Sequence, residues 1–372
     1  MRPRLAHHHD AAACLRCDRV VPSVELELGV CRACTEFEAE HDPMAQSFEQ
    51  TAEAVGLLER DPSRIVAWPF AAVDAVTGPM APGTVWYVAA FSGGGKTTFT
   101  TSCIRRWVEA GVRVYVMPLE LRAHEWRTGY LCQRLGVHPG DALSGRLRLA
   151  EAAGDLEAKR TREMLQHELQ LSHDEDRAWS LYVNPAAMLS LDGFVRAARH
   201  AKRHGYHVIV VDHVDHVSDE GASPLEVSQQ VNRALGRIAQ ALDIVIVCTT
   251  QMNGQAASGH RLAKYEPPQV NHIWHPGVKV QTATGILGLY RPTDPAASLD
   301  DVNAAKRGEI EPTRVLLPGC MGVVAMKLRN YGAHEGKRVE LAVQRGAVED
   351  RAPQDVHHIH TGGASERARG WR

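Results

Sequence analysis

The chain has 372 residues, 44% of them hydrophobic and 23% charged, which suits a soluble protein with one large core and something small attached. No apolar run approaches the roughly 20 residues that span a bilayer, and Met1-Arg2-Pro3-Arg4 is followed by His and Asp rather than an apolar signal region, so a cytoplasmic protein without membrane contact is expected. A net charge of −2 neither advertises nor excludes nucleic acid, because a narrow basic channel can hide inside a neutral sum.

The first element, residues 1–40, holds two CxxC pairs, Cys14-Leu-Arg-Cys17 and Cys31-Arg-Ala-Cys34. In a reducing compartment that spacing predicts a zinc ribbon and not a disulfide framework. Four thiolates close a tetrahedral site, so the Zn²⁺ is expected to be structural, contributing on the order of 10–16 kcal/mol of apparent binding energy to a segment too short to fold unaided. Cys103, Cys132, Cys248 and Cys320 stand singly in periodic apolar segments and are expected in the core.

Residues 41–67 form a linker. After the acidic stretch Glu36 to Asp42, the apolar positions Phe48, Ala52, Val55 and Leu58 predict a helix over about 45–59, stopped by Asp61-Pro62.

From 68 to about 347 strands alternate with helices. The short apolar runs Val85–Ala89, Val112–Met117, His207–Val211 and Asp243–Cys248 predict buried parallel strands, and the amphipathic stretches Phe99–Ala110, Leu191–His204 and Leu225–Leu242 lie between them. The pattern is a doubly wound α/β domain. Gly285–Tyr290, Gly322–Arg329 and Arg338–Val343 extend the sheet as hairpin partners, and the polar tail 348–372 is expected to be disordered.

Between the first strand and its helix stands Ala90-Phe91-Ser92-Gly93-Gly94-Gly95-Lys96-Thr97-Thr98. Ser92, Gly93, Gly94 and Gly95 let backbone N–H groups turn around a β-phosphate, Lys96 reaches the β- and γ-phosphates, and Thr97 offers Mg²⁺ a hydroxyl, followed by Thr98. The strict GxxxxGK[ST] pattern misses by one methyl group, at Ala90. A magnesium site also needs a carboxylate at a buried strand tip, which Asp212 supplies, whereas Asp215, His213 and His216 read as the loop beyond. Hydrolysis of ATP needs a group to activate water, and Glu120 follows the second strand; Gln251 ends an inner strand where an amide can touch a γ-phosphate.

The order of phosphate loop, strand ending in Leu-Glu, aspartate strand, strand ending in Gln-Met-Asn and late Lys-x-Arg-Asn resembles the DnaB-like replicative helicases over roughly 68 to 345. The resemblance implies a RecA-like P-loop fold, in which alanine at position 90 is ordinary. It implies Glu120 as catalytic, Gln251 as γ-phosphate sensor, and Lys327 and Arg329 as fingers onto a neighbour's ATP, a task that suits the always-charged guanidinium. It further implies a homo-hexameric ring on single-stranded DNA in replication, with a primase or loader as further partner. Residues 252–284 correspond to the family's DNA-binding loop, where His260, Arg261, Lys264, Tyr265, Trp274 and Lys279 mix cations and aromatics suited to a phosphate backbone. The usual acidic and arginine residues before its glycine are replaced by Asn271-His-Ile-Trp-His-Pro-Gly277, and the family's helical collar is replaced by the CxxC module. A ribbon ahead of a RecA-like core also resembles RadA-type recombination ATPases, without their Lys-Asn-Arg-Phe-Gly motif or C-terminal domain. A regulatory ATPase that does not unwind, and a small-molecule kinase, are the remaining alternatives.

Overall fold

A computed structural model of the chain describes residues 61–171, 180–186, 189–217, 223–253, 267–291, 319–330 and 332–351, with short pieces at 11–13, 20–22, 26–27, 30–31, 51–52, 55–56, 59, 303–304 and 307–309. It divides into two units, Met1–Pro62 and Ser63–Arg372.

In the first unit β1 (Ala11–Ala13) pairs antiparallel with β2 (Val20–Pro22), and β3 (Leu26–Glu27) with β4 (Val30–Cys31). In sequence, Cys14 and Cys17 fall between β1 and β2, and Cys31 ends β4. Cys14, Cys17, Cys34 and the side chain of Cys31 lie outside the described residues, so the zinc expectation does too. Of the expected linker helix, residues 51–52 and 55–56 are helical, residue 59 is a turn, and the remainder lies outside the described residues. The tail expected to be disordered from 348 is instead strand at 348–350, where it pairs with the sheet, and beyond 351 it lies outside the described residues.

The second unit runs α1 (Ala71–Thr77), β5 (Val85–Ala90), α2 (Lys96–Glu109), β6 (Val114–Pro118), α3 (Ala123–Arg134), α4 (Pro139–Leu143), α5 (Arg146–Ala152), α6 (Leu156–Leu171) and β7 (Leu181–Val183). It continues with α7 (Leu191–Arg203), β8 (Val208–Asp212), α8 (Pro224–Leu242), β9 (Val245–Gln251), α9 (Pro276–Thr282), β10 (Gly285–Tyr290), β11 (Cys320–Leu328), β12 (Arg338–Gln344) and β13 (Ala347–Asp350). Among the described residues these strands form one sheet in the order β13-β12-β11-β10-β5-β9-β8-β6-β7. From β7 to β10 all neighbours are parallel, and β10 to β13 form an antiparallel meander. The expected doubly wound, mainly parallel α/β domain is thus observed.

Every residue of β5, β6 and β8 is buried, because helices cover both faces. Alternation divides their side chains. Trp86, Val88, Val116 and Val210 meet α2 and α3 with Trp68, Phe99 and Trp107, whereas Tyr87, Met117, Ile209 and Ile246 meet α7 and α8 with Phe194 and Leu235. Cys103, Cys132, Cys248 and Cys320 are buried as expected. Among the described residues no helix is long and apolar enough to cross a membrane.

Candidate active site

The site lies at the carboxyl ends of β5, β6, β8 and β9, which parallel pairing brings side by side. The phosphate loop needs backbone that turns the wrong way for most residues. Gly93 has φ 71° and Gly95, which caps α2, has φ 91°; a Cβ on Gly95 would also fall 2.5 Å from Met321 Cε. The loop therefore leads straight into α2, whose first residues are Lys96, Thr97 and Thr98, with free N–H groups and the positive end of the helix dipole. Lys96 is buried, and its Nζ donates to Ala90 O at 3.4 Å. Burial pulls its pKa below the lysine range, opposed by the charges of Asp212 and Glu120.

Asp212 at the end of β8 is 2% exposed. Burial pushes its carboxyl up, opposed by hydrogen bonds from Thr249 and Thr97, the Thr249 hydroxyl donating to Oδ1 at 2.6 Å. A carboxylate fixed in this way beside the Thr97 hydroxyl is a donor set fit for Mg²⁺. The Asp212 carbonyl accepts the N–H groups of Leu119 at 2.6 Å and Glu120 at 3.1 Å, so the strand with the candidate metal-binding carboxylate also holds the backbone of the candidate base. The Glu120 side chain is 46% exposed and open to a substrate water.

The sequence places His213 in the loop beyond β8, and it lies in the turn just past that strand. Its ring is buried between two carboxylates, Nε2 3.8 Å from Glu120 and Nδ1 3.6 Å from Asp215, and packs on His216. Asp215 lies in a 3-10 turn over Val214–His216 and is nearly buried, accepting from the Thr250 hydroxyl at 2.8 Å and the Gln251 N–H at 3.2 Å. Burial pushes its carboxyl up, but His213, Lys279 and Thr250 outweigh it and hold Asp215 well below the usual carboxylate range.

Two residues the sequence reading missed join the site. Arg291, just after β10, donates from Nε to Gly93 O at 3.1 Å. It also lines a cavity of about 290 Å³ with Thr97, Thr98, Trp126, Gln133 and His138, beside the start of α2. Thr249 is the other. Neither lies in a motif; a cation directly after an apolar strand is the one sequence signal that Arg291 offered.

Lys279 corrects the sequence reading. Expected among the cations of a strand-binding loop, it is 0% exposed and 2.5 Å from Asp215, so its charge is spent inside the domain. Trp274 is exposed, whereas His260, Arg261, Lys264 and Tyr265 lie outside the described residues.

Lys327 and Arg329 do not meet the other candidates. Antiparallel β11 sets Gly322 beside Tyr290 and Leu328 beside Gly285, while Gly285 pairs with Trp86 and Leu289 with Ala90. Arg329, whose N–H donates to Thr284 O, is thus level with the start of β5, and the phosphate loop leaves its end. The six-residue length of β5 separates them by about 17 Å at the usual rise.

The model of the DnaB-like helicase C terminal domain matches residues 66–314, which stops short of Lys327 and Arg329. Among solved structures, an ATPase domain is similar with a TM-score of 0.60 at 18% identity, over 82% of this chain and 98% of that one. A DnaB-like replicative helicase, described with its interactions with primase, is similar with a TM-score of 0.59 at 18% identity, over 77% of this chain and 62% of that one. Identities this low show the fold alone. No curated protein sequence matches the chain. The family match covers two thirds of the 372 residues and over that stretch bears out the resemblance seen in the motif order: the chain belongs to the DnaB-like helicase C terminal domain family.

Proposed function

We propose that the protein is an ATP-driven motor of the DnaB-like type, acting as a ring of identical subunits, six by the family resemblance, that moves on single-stranded DNA. The observation that carries this reading is the separation within one chain: the phosphate loop, Asp212 and Glu120 stand at one end of the sheet, and Lys327 and Arg329 at the other. Cations at the far end cannot serve their own chain's nucleotide. They fit the ATP of a neighbour, which explains why an exposed arginine sits at a strand end.

Within the site, the loop N–H groups and Lys96 hold the β- and γ-phosphates, and the cavity beside α2 has room for the nucleoside. Thr97 and Asp212 would hold Mg²⁺, which would supply positive charge against the negative charge of the phosphates. Glu120 takes the proton of the attacking water, Gln251 senses the γ-phosphate, and the neighbour's Arg329 and Lys327 stabilise the transferred phosphoryl group.

Hydrolysis measured with and without single-stranded DNA tests the motor, with strand displacement from a forked duplex testing the helicase. DNA-independent hydrolysis would support the regulatory ATPase. Stimulated hydrolysis with branch migration but no fork unwinding would support the RadA-like alternative. For the N-terminal unit we propose a zinc ribbon on Cys14, Cys17, Cys31 and Cys34, supported by hairpin strands flanking the first CxxC pair and ending at the second. Elemental analysis should find one zinc per chain, lost when Cys14 and Cys17 are replaced by serine.

A further inference from the structure

Helix α9 closes the stretch that the sequence assigned to strand binding, and side chains tie it to candidate catalytic parts in both directions. Lys279, the middle residue of the helix, reaches back toward its first end, where Nζ donates to Asp215 Oδ1 at 2.5 Å, Thr250 Oγ1 at 2.8 Å and Trp274 O at 2.9 Å. Apolar residues of the same volume often stabilise a core as well as a buried ion pair does, so such a pair invites a search for the geometry it specifies. Here that geometry is the backbone of Gln251. Its N–H donates to Asp215 Oδ2 at 3.2 Å and its carbonyl accepts from Trp274 N at 3.0 Å, while Asn253 N donates to His272 O at 2.7 Å. With the bridge between Met252 and Ile273, these bonds tie the chain just after β9 to the chain just before α9.

At the other end, the helix presents its last carbonyls, acceptors without partners inside the helix. Lys327 Nζ donates to Val280 O and, at 3.0 Å, to Ala283 O; Arg329 Nη2 donates to Gln281 O at 2.6 Å. Two cations at a helix C-terminus also suit its dipole. Because Trp274 pairs with Gln251 at the end of β9 and Thr284 with Val85 at the start of β5, α9 runs from the phosphate end of the sheet to the finger end.

We propose that α9 is a strut that couples a chain's own γ-phosphate sensor and the base of its strand-binding segment to the cations offered to the next chain, with the buried Lys279–Asp215 pair as its fastening. Lys279 and Asp215 are positioning residues: neither touches the reacting atoms. The inference rests on the motor reading and adds the means by which nucleotide state reaches DNA.

The test uses the full chain and a fluorescent oligo-dT, with affinity measured in ADP and in a non-hydrolysable ATP analogue. In wild type the two affinities should differ by a factor in the roughly 5- to 150-fold range usual for coupled sites. In Lys279→Met/Asp215→Asn, which removes both charges but keeps an acceptor for the Gln251 N–H, the factor should fall to about one. A folded double variant that keeps the wild-type factor overturns the proposal and leaves the motor reading standing. A wild type that binds oligo-dT equally in both nucleotides overturns both. Should the variant fail to fold, hydrogen exchange on wild type decides: the analogue in place of ADP should change protection at 251–253 and 276–284 together, and unchanged protection there overturns the strut.

Discussion

Burial sets what each charged residue of the site can do. Lys96 and Asp212 are nearly enclosed, so their charges have fixed positions, while Glu120 keeps nearly half of its side chain open, as its proposed role as a base toward water requires. Glu120→Gln keeps the shape and removes the base; it should bind ATP as wild type does and hydrolyse it about 10²–10⁴-fold more slowly in a single-turnover assay. Asp215 makes a prediction of opposite kind, about stability. Its folded pKa lies below the unfolded value of about 3.9, so the stability it contributes is fully present above about pH 4 and is lost as pH falls through the depressed folded value. Asp215→Asn strands the Lys279 charge and should cost about 3–5 kcal/mol at pH 7 by denaturant unfolding, with the gap to wild type closing in strong acid. At this scale Lys96 and Thr97 were placed by the glycine loop that opens α2, and Asp212, Glu120 and Gln251 by their positions at or just past strand ends. Thr249 and Lys279 were not, because a threonine inside a strand and a lysine near a glycine look the same whether buried or exposed.

The elements show a different limit. Strands β5, β8 and β10 match the apolar runs closely, since a strand covered on both faces must be apolar throughout. β7 has only three residues at a sheet edge, two half-buried and Val183 buried, and gives no periodic signal, and β13 lies where the chain already turns polar. β10 also has a role the sequence reading did not assign: it pairs parallel with β5 as well as antiparallel with β11, and so joins the two halves of the sheet. Two glycines permit this. A Cβ on Gly285 would lie 2.1 Å from Cζ3 of Trp86, its β5 partner, and one on Gly322 would lie 2.2 Å from Cζ of Tyr290, its β10 partner. Gly285→Ala forces a packed tryptophan off its position and should cost about 1–3 kcal/mol, seen as a lower Tm, with recovery when Trp86 is replaced by leucine.

For the whole molecule the question is how many chains make one active site. Arg329→Ala should bind ATP normally and lose roughly 10³–10⁵ in hydrolysis rate if the guanidinium acts on a neighbour's nucleotide. Mixing these subunits with Lys96→Ala subunits creates interfaces at which an intact loop meets an intact finger, so activity should partly return. Mixtures shown to co-assemble that stay inactive would mean that each chain is complete in itself. The sequence alone determined the fold class and the family, and it marked out the candidate phosphate loop with its strand-end aspartate. These follow from local signals, namely apolar runs, glycines that permit a tight turn, and charged residues at strand ends. The tertiary structure alone decided that Lys279 is an internal ion pair, that Arg291 turns to the phosphate loop, and that Lys327 and Arg329 stand at the opposite end of the sheet from Lys96. Those depend on which strands become neighbours and in which direction β11 runs, and strand pairing between distant segments is a property of the packed core rather than of any local stretch of chain.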